Sequence, residues 1–339
     1  MHDFVIRDLP TTWAPSYDVF RGNVLMHDFV IRDLPTTWAP SYDVLGESMH
    51  SYLRAIGFSK CKTRKQLEKI YATALRDPNR KMITTISIDT SLIQFEKDFG
   101  PSFGLSLIGE YGIEGDLSIE HYYPYIKGSS NMDIENIYIE KQTDKESYAG
   151  VCEDSRLGMT LIFYLQNISD YAKSKWFNYS NKSFKRVRFS ALSTQGTILL
   201  GIKKTKMQKI TDSLEKSYRD NLMYAVKKGD KEALEYYAHD EIQTYRQIVE
   251  RLKSEDILSI IDTTIMPCGV ECDHYSVTGN IISVREEKNS YTDETVYNLL
   301  IETYDVLINV GINSIDLEGE PLPGRRFRGE IWLQGYVKI

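Results

Sequence analysis

Two cysteines and a histidine lie close together in the sequence, at Cys268, Cys272 and His274. Thiolate and imidazole are ligands that Zn²⁺ prefers, but a structural zinc site needs four ligands and usually a second closely spaced Cys or His pair. The sequence contains no such second pair near them. We therefore predict no cofactor and interpret these residues as part of a link between a helix and a strand, with the cysteines packed against the core. A metal site at the three residues is the alternative. A thiol nucleophile would need a nearby base, for which His274 is a candidate only by default.

The consecutive residues His239, Asp240 and Glu241 are all of acid–base type. Successive residues on a helix point about 100° apart, so these three cannot converge on one atom. Glu235 and His239 share a helix face, but the HExxH pattern of zinc proteases is absent. We interpret this segment as a solvated helix face.

The strongest local charge bias runs from Lys173 to Lys209, a stretch with ten Lys or Arg, no Asp or Glu, and several interleaved aromatic residues. Two strand-like segments, 184–192 and 197–203, surround a four-residue turn and predict a hairpin. The period-two pattern places Lys185 on one face of the first strand and Arg186 and Arg188 on the other. One hypothesis is a hairpin that binds nucleic acid or phosphate, with these cations on the backbone and rings such as Trp176 on the bases. The interpretation that we favour is a solvated charged surface.

Residues 275–339 alternate apolar and polar side chains and predict strands at 277–285, 296–304, 306–310 and 327–337. This number of short strands in about 65 residues suits a small OB-like or SH3-like β-barrel. Arg325, Arg326 and Arg328 form a basic patch before the last strand. The module as a whole carries six basic and ten acidic residues, which weakens nucleic-acid binding and leaves protein docking open.

The elements between these sites predict an α+β fold. Thr63 and Gln66 form a capping box for a helix over 63–75, and several strands follow one another without intervening helices. We interpret the Tyr122–Tyr125 cluster, which contains Pro124, as a loop that packs against the sheet. Two helices, 205–228 and 230–253, flank Gly229, and a short third helix covers 255–261. The predicted units are a mainly antiparallel α+β domain (49–204), a helical segment and link (205–274) and the C-terminal barrel (275–339).

The start of the chain is duplicated: residues 1–19 recur without change as residues 26–44. Two copies are too few to stack into a repeat fold. A further Met-His pair at Met49 opens the part of the sequence with ordinary globular patterning. We predict that residues 1–48 are a duplicated or mis-called leader, poorly ordered, and that the working protein begins at Met49. The alternative is a genuine arm, with an edge strand at Phe29–Ile31 and Trp38 as an anchor.

Composition excludes several classes of protein. The chain has 339 residues, of which 42% are hydrophobic and 26% charged, and this suits a folded globular protein. No apolar run approaches the roughly 20 residues of a membrane-spanning helix, so we expect no membrane partner. Four scattered cysteines form no disulfide framework, and the N-terminus has no secretory signal pattern, so a cytoplasmic location is predicted.

Several segments together resemble a bacterial family, found in Gram-positive anaerobes, that is known only as a domain of unknown function. The resemblance covers residues 49–339 and implies no activity, cofactor or catalytic residue. The segments that carry it are Met49–Ser59, Thr63–Lys65, Ile261–Thr263, Met266-Pro267, Gly269, Glu271–Asp273, Gly324–Phe327 and Ile331–Gly335.

No P-loop, Rossmann fingerprint, paired-carboxylate motif or Ser-His-Asp order is present in the sequence. We therefore predict a cytoplasmic binding or scaffold protein without identifiable chemistry, whose partner is an unknown protein. The alternative is a nucleic-acid- or phosphate-binding protein that uses residues 173–209, and an enzyme of unknown class ranks third.

Overall fold

The structure, a computed structural model, describes residues 51–112, 117–142, 147–153, 159–176, 183–202, 206–251 and 262–339. The predicted leader and the predicted helix 255–261 lie outside these residues. The described part mixes helices with a larger β content, which confirms the α+β class. Its four α-helices are α1 (Arg64–Arg76), α2 (Ile168–Trp176), α3 (Lys206–Lys227) and α4 (Lys231–Arg251). Its strands are β1 (Arg80–Thr85), β2 (Thr90–Asp98), β3 (Phe103–Gly112), β4 (Leu117–Ile126), β5 (Met132–Lys141), β6 (Tyr148–Glu153), β7 (Leu161–Leu165), β8 (Phe184–Ser193), β9 (Gly196–Leu199), β10 (Thr264–Pro267), β11 (His274–Lys288), β12 (Thr295–Thr303), β13 (Val306–Asn313), β14 (Leu317–Glu318) and β15 (Arg326–Val337).

The first four strands form an antiparallel sheet in the order β1-β2-β3-β4, and α1 packs against β2 and β3. Helix α1 begins at the predicted capping box, in which Thr63 and Gln66 satisfy each other's backbone N–H groups. The Tyr122–Tyr125 cluster is buried in β4, so its interpretation as a loop is wrong. Pro124 is tolerated there because β4 is an edge strand of this sheet, where a missing N–H breaks no ladder on the outer side.

The other eleven strands form one sheet that contains a closed barrel of eight strands. Pairing runs from β11 through β12, β13, β8, β5, β6 and β7 to β15, which pairs with β11 again. Because β8 and β15 also pair with each other, they divide this circuit into two rings of five strands that share the β8–β15 pair.

The ring that contains the C-terminal strands is closed by β8, from outside residues 275–339. Strand β13 pairs in parallel with β8, and β15 pairs with β8 in the antiparallel direction. Since β13 and β15 each pair with β8 and not with each other among the described strands, residues 275–339 do not close a barrel alone.

Strands β8 and β9 do not form the predicted hairpin, because within the described strands they do not pair with each other. Both instead pair with β15: Val187–Ala191 with its last residues and Gly196–Leu199 with its first. The Ser193 hydroxyl donates to the carbonyls of Gln195 (2.9 Å) and Glu330 (2.7 Å), which holds the chain against β15 between the two strands.

Helices α3 and α4 are joined by a short turn with the predicted caps. Gly229 has φ 86°, in the left-handed region that favours glycine after a helix. The Asp230 carboxylate accepts from the backbone N–H groups of Glu232 (3.0 Å) and Ala233 (3.2 Å) at the start of α4. An ion pair between Arg219 and Asp240 (3.0 Å) connects the two helices. None of the described helices is both long and apolar enough to cross a membrane.

Candidate binding surface around helix α2

Helix α2 is fixed to the barrel at its N-terminal end. The preceding residue, Asn167, is buried; its side chain donates to the carbonyl of Val337 (2.8 Å) and accepts from the N–H of the same residue (3.0 Å). One turn further, the Tyr336 hydroxyl donates to the Asp170 carboxylate (3.0 Å). On the other side, the Thr84 hydroxyl donates to the carbonyl of Ser169 (3.2 Å). These contacts hold α2 between the end of β15 and β1, with grooves on both sides of it.

The first groove, which we call the Lys338 groove, lies between α2 and the ends of β8 and β15 and has a volume of about 740 Å³. Its described lining residues include three lysines (Lys173, Lys185 and Lys338) and one acid, Asp170. The other lining residues are polar or apolar: Asn167, Ser174, Ser183, Phe184, Tyr336, Val337 and Ile339.

Tyr336 links this groove to the basic strand β8. The guanidinium of Arg188 lies over the Tyr336 ring, 4.5 Å from its centroid. Burial and the Asp170 carboxylate raise the pKa of Tyr336, so the hydroxyl stays a hydrogen-bond donor near neutral pH.

The second groove, which we call the Trp176 groove, lies on the opposite side of α2 and has a volume of about 510 Å³. Trp176 and Lys175 at the end of α2 form one wall, and Ile86 in the β1–β2 turn forms part of another. The remaining lining residues are Ser87, Thr90, Glu110, Lys141, Tyr148 and Ala172. Trp176 is 46% exposed, and Ile88, which follows the lining residue Ser87 in the chain, is 93% exposed.

The predicted cations of β8 have partners. The Lys185 ammonium donates to the carbonyl of Glu135 and to the side chain of Asn136. Arg186 forms an ion pair with Asp133 (2.7 Å), a residue that lies opposite it in β5. Of the predicted binding residues, Lys185 lines the Lys338 groove, Arg188 lies behind its Tyr336 wall, and Trp176 lines the other groove.

The predicted basic patch before the last strand is not one surface. Arg326 is buried, and its guanidinium donates to the carbonyls of Leu200 (3.0 Å) and Asp262 (3.4 Å). Arg325 is bound to Glu320 through its side chain (3.4 Å). Arg328 is exposed and lines a separate small hollow with Ser276 and Thr197.

The candidate metal residues are held by other contacts. The Nδ1 atom of His274 lies 3.1 Å from the Asp273 carboxylate and 3.3 Å from that of Glu271. The other oxygen of Asp273 accepts from the Trp332 indole N–H (2.8 Å). In the described part of the chain, no group of three or more His, Cys, Asp or Glu is placed to hold a metal ion.

The two cysteines of this link are free thiols, Cys268 half-buried and Cys272 exposed. Burial raises the pKa of both thiols, and nearby carboxylates raise it further. A raised pKa disfavours the thiolate, which is the reactive form, so the environment activates neither cysteine as a nucleophile.

Sequence reasoning missed several residues of the α2 surface, among them Asp170, Tyr336 and Lys338. Tyr336 is near the end of β15 and Lys338 follows that strand, about 165 residues beyond α2 in the sequence. The sequence shows only a single lysine, Lys338, after an apolar strand. A single surface lysine is common in proteins, so this feature does not indicate a binding site.

The comparisons with known proteins give a family and no function. No curated protein and no solved structure matches the chain. The family described as "Domain of unknown function, E. rectale Gene description (DUF3881)" matches residues 53–335. This range contains both grooves except for the last residues of the Lys338 groove, beyond 335. The chain belongs to this family of domains of unknown function.

Proposed function

We propose that the protein is a binding or scaffold protein that holds a partner protein. The observation that carries this proposal is the Trp176 groove, where a half-exposed tryptophan lies in a concave surface. The turn that supplies Ile86 and Ser87 to this groove also carries the almost fully exposed Ile88. Large apolar side chains exposed around a hollow mark sites of protein contact, and tryptophan is enriched among the residues that dominate binding energy.

The charges around this groove favour a partner with an acidic rim. Lys175 and Lys141 line the groove, and Glu110 is the one acid among its described lining residues. Opposite charge on a partner increases the association rate and fixes its orientation, whereas the buried aromatic contact supplies most of the affinity. We therefore propose a partner that inserts an apolar side chain beside Trp176 and places carboxylates near Lys175.

The test begins with a photo-cross-linking amino acid, p-benzoylphenylalanine, at position 88 of the full chain, in the cells that make the protein. The captured protein is then purified, and its affinity is measured for the unlabelled chain, for Trp176→Ala and for Tyr236→Ala. Tyr236 is a matched control, because it is an exposed aromatic residue on α4.

The proposal predicts that Trp176→Ala weakens binding about 30-fold, which corresponds to the roughly 2 kcal/mol of a dominant interface residue. Tyr236→Ala should leave the affinity within about twofold. Equal affinities for the two variants, or a greater loss with Tyr236→Ala, would contradict a partner at this groove.

A nucleic-acid partner is the second candidate, favoured by the lysines and rings that surround α2. The ion pair of Arg186 with Asp133 and the hydrogen bonds of Lys185 leave fewer cations for phosphates, which is why a protein partner ranks first. Binding of a single-stranded oligonucleotide that weakens steeply with salt, and that is lost when Lys185, Arg186 and Arg188 are all changed to Ala, would establish this candidate.

We also propose that the five-stranded ring of β8, β11, β12, β13 and β15 is OB-like or SH3-like and that the protein works in the cytoplasm. Five strands in a closed ring is the strand number of an OB-fold. The four cysteines are scattered through the sequence without a disulfide framework, which supports a reducing compartment. Cell fractionation with an antibody against the chain tests the location.

A further inference from the structure

The Lys338 groove differs from the Trp176 groove in the kind of ligand that it fits. Its volume of about 740 Å³ lies within the range of sites for small molecules, about 300–1,000 Å³. Its lining includes the apolar side chains of Phe184 and Ile339 together with three lysines. This combination suits a molecule with one apolar and one anionic part.

The wall between α2 and β15 is formed before any ligand arrives. The paired hydrogen bonds between Asn167 and Val337 and the bond from Tyr336 to Asp170 fix the two elements together. Asn167 is 4% exposed, so this pairing is protected from water. A rigid wall reduces the ordering cost of binding, which is the condition under which a small ligand is held well.

The lysines of the groove outnumber the acidic side chains that line it. Lys173 and Lys338 are exposed, and neither side chain forms a hydrogen bond or ion pair with any residue that the structure describes. Asp170 is the one acidic side chain of the described lining, and its carboxylate already accepts from Tyr336. An anionic group on a ligand would therefore give these two lysines a negatively charged partner.

We propose that the Lys338 groove binds a small amphipathic anion, a molecule with a phosphate, sulfonate or carboxylate head and an apolar body. The head lies between Lys173 and Lys338, and the body covers Phe184 and Ile339. The site lies on the opposite side of α2 from the proposed partner groove, and this inference does not depend on the proposed function.

The experiment uses three probes with the full chain. 8-Anilinonaphthalene-1-sulfonate has an anionic head and an apolar body, N-phenyl-1-naphthylamine has a similar body without charge, and inorganic pyrophosphate has charge without a body. Binding is followed by fluorescence for the two dyes and by calorimetry for pyrophosphate. The variants are Lys173→Ala with Lys338→Ala, and a charge-matched control with Lys60→Ala and Lys231→Ala, two exposed lysines outside the groove.

The proposal predicts saturable binding of the sulfonate dye, at least about tenfold weaker in the Lys173→Ala, Lys338→Ala variant and unchanged in the control. The uncharged dye and pyrophosphate should each bind at least about tenfold more weakly than the sulfonate dye. Circular dichroism establishes that both variants remain folded, as expected for exposed lysines.

Three results would overturn the inference. Equal binding of the charged and uncharged dyes would show a merely apolar surface, and equal binding of pyrophosphate and the sulfonate dye would show a merely basic one. Sulfonate binding that is lost equally in both lysine variants would show that net charge, and not this groove, attracts the dye.

Discussion

A buried glutamine connects the barrel to the four-stranded sheet, and its loss should destabilise the protein strongly. Gln334 of β15 has no exposed surface; its amide donates to the carbonyl of Pro124 in β4 (2.9 Å) and accepts from Gln166 (2.8 Å). Gln334→Leu keeps a similar volume but leaves the Pro124 carbonyl buried without this donor. An unsatisfied buried group costs about 1–3 kcal/mol, and the second lost bond about 1 kcal/mol, so we expect a loss of about 2–4 kcal/mol.

The assay is urea unfolding of the full chain, followed by far-ultraviolet circular dichroism, with Gln243→Leu as the control. Gln243 is exposed on α4, and its change should stay within about 0.5 kcal/mol. The double variant of Gln334→Leu and Gln166→Leu should lose about 1 kcal/mol less than the sum of the single variants, because the two residues share one hydrogen bond. A loss below about 1 kcal/mol for Gln334→Leu, or strict additivity in the double variant, would refute the role given to this network.

Three further predictions follow from local features. Thr63→Ala should lower the free energy of unfolding by about 1 kcal/mol in urea denaturation, because the N–H of Gln66 loses its cap, whereas no change would contradict the capping role. Gly150→Ala should cost about 1–3 kcal/mol in the same assay, since a Cβ there would lie 2.0 Å from the Phe163 ring; a neutral result would show that the ring moves aside freely. Burial raises the pKa of Tyr275 to about 12 from an ordinary value of 10.0, so its contribution to stability should be complete below pH 10 and lost as the pH rises toward 12. Ultraviolet titration of phenolate absorbance measures this pKa, and Tyr275→Phe identifies which part of the absorbance comes from Tyr275. Ionisation of Tyr275 at its ordinary pKa in the folded chain would contradict the prediction.

The elements that the sequence predicted well are those specified by local signals. The capping box at Thr63 and the Gly229 turn between α3 and α4 each fix a helix end with two or three residues. Among the C-terminal strands, β11 and β12 have 15 and 9 residues and alternate apolar and polar side chains. Such alternation can be read from the local sequence.

The elements that the sequence could not predict depend on distant pairing. Strand β2 contains Glu96 and Lys97 in its second half, so its alternation of apolar and polar residues is weak. It forms a strand because it pairs with β3 along its whole length. Strands β8 and β9 carry the pattern of a hairpin, but the β15 backbone, more than 120 residues away in the sequence, pairs with both. Local turn signals do not reveal such a competing strand.

The candidate site was predicted in part, for the same reason. The basic stretch from Lys173 did identify Trp176 and Lys185, which line the two grooves. Helix α2 itself has nine residues, with three charged or polar positions among its last six, and is too short for its apolar spacing to indicate a helix. Lys338 approaches Lys173 only because β15 pairs with β8 and Asn167 binds the end of β15, and neither contact has a signal in the sequence.

The most direct test of the central claim is hydrogen–deuterium exchange of the full chain, alone and with the partner captured at position 88. A binding protein that uses the Trp176 groove should show slower exchange at the end of α2 and in the turn at 86–89, with unchanged exchange in α4. Protection confined to α4 or to the segment around Arg328, with none at α2, would contradict the claim that this surface holds the partner.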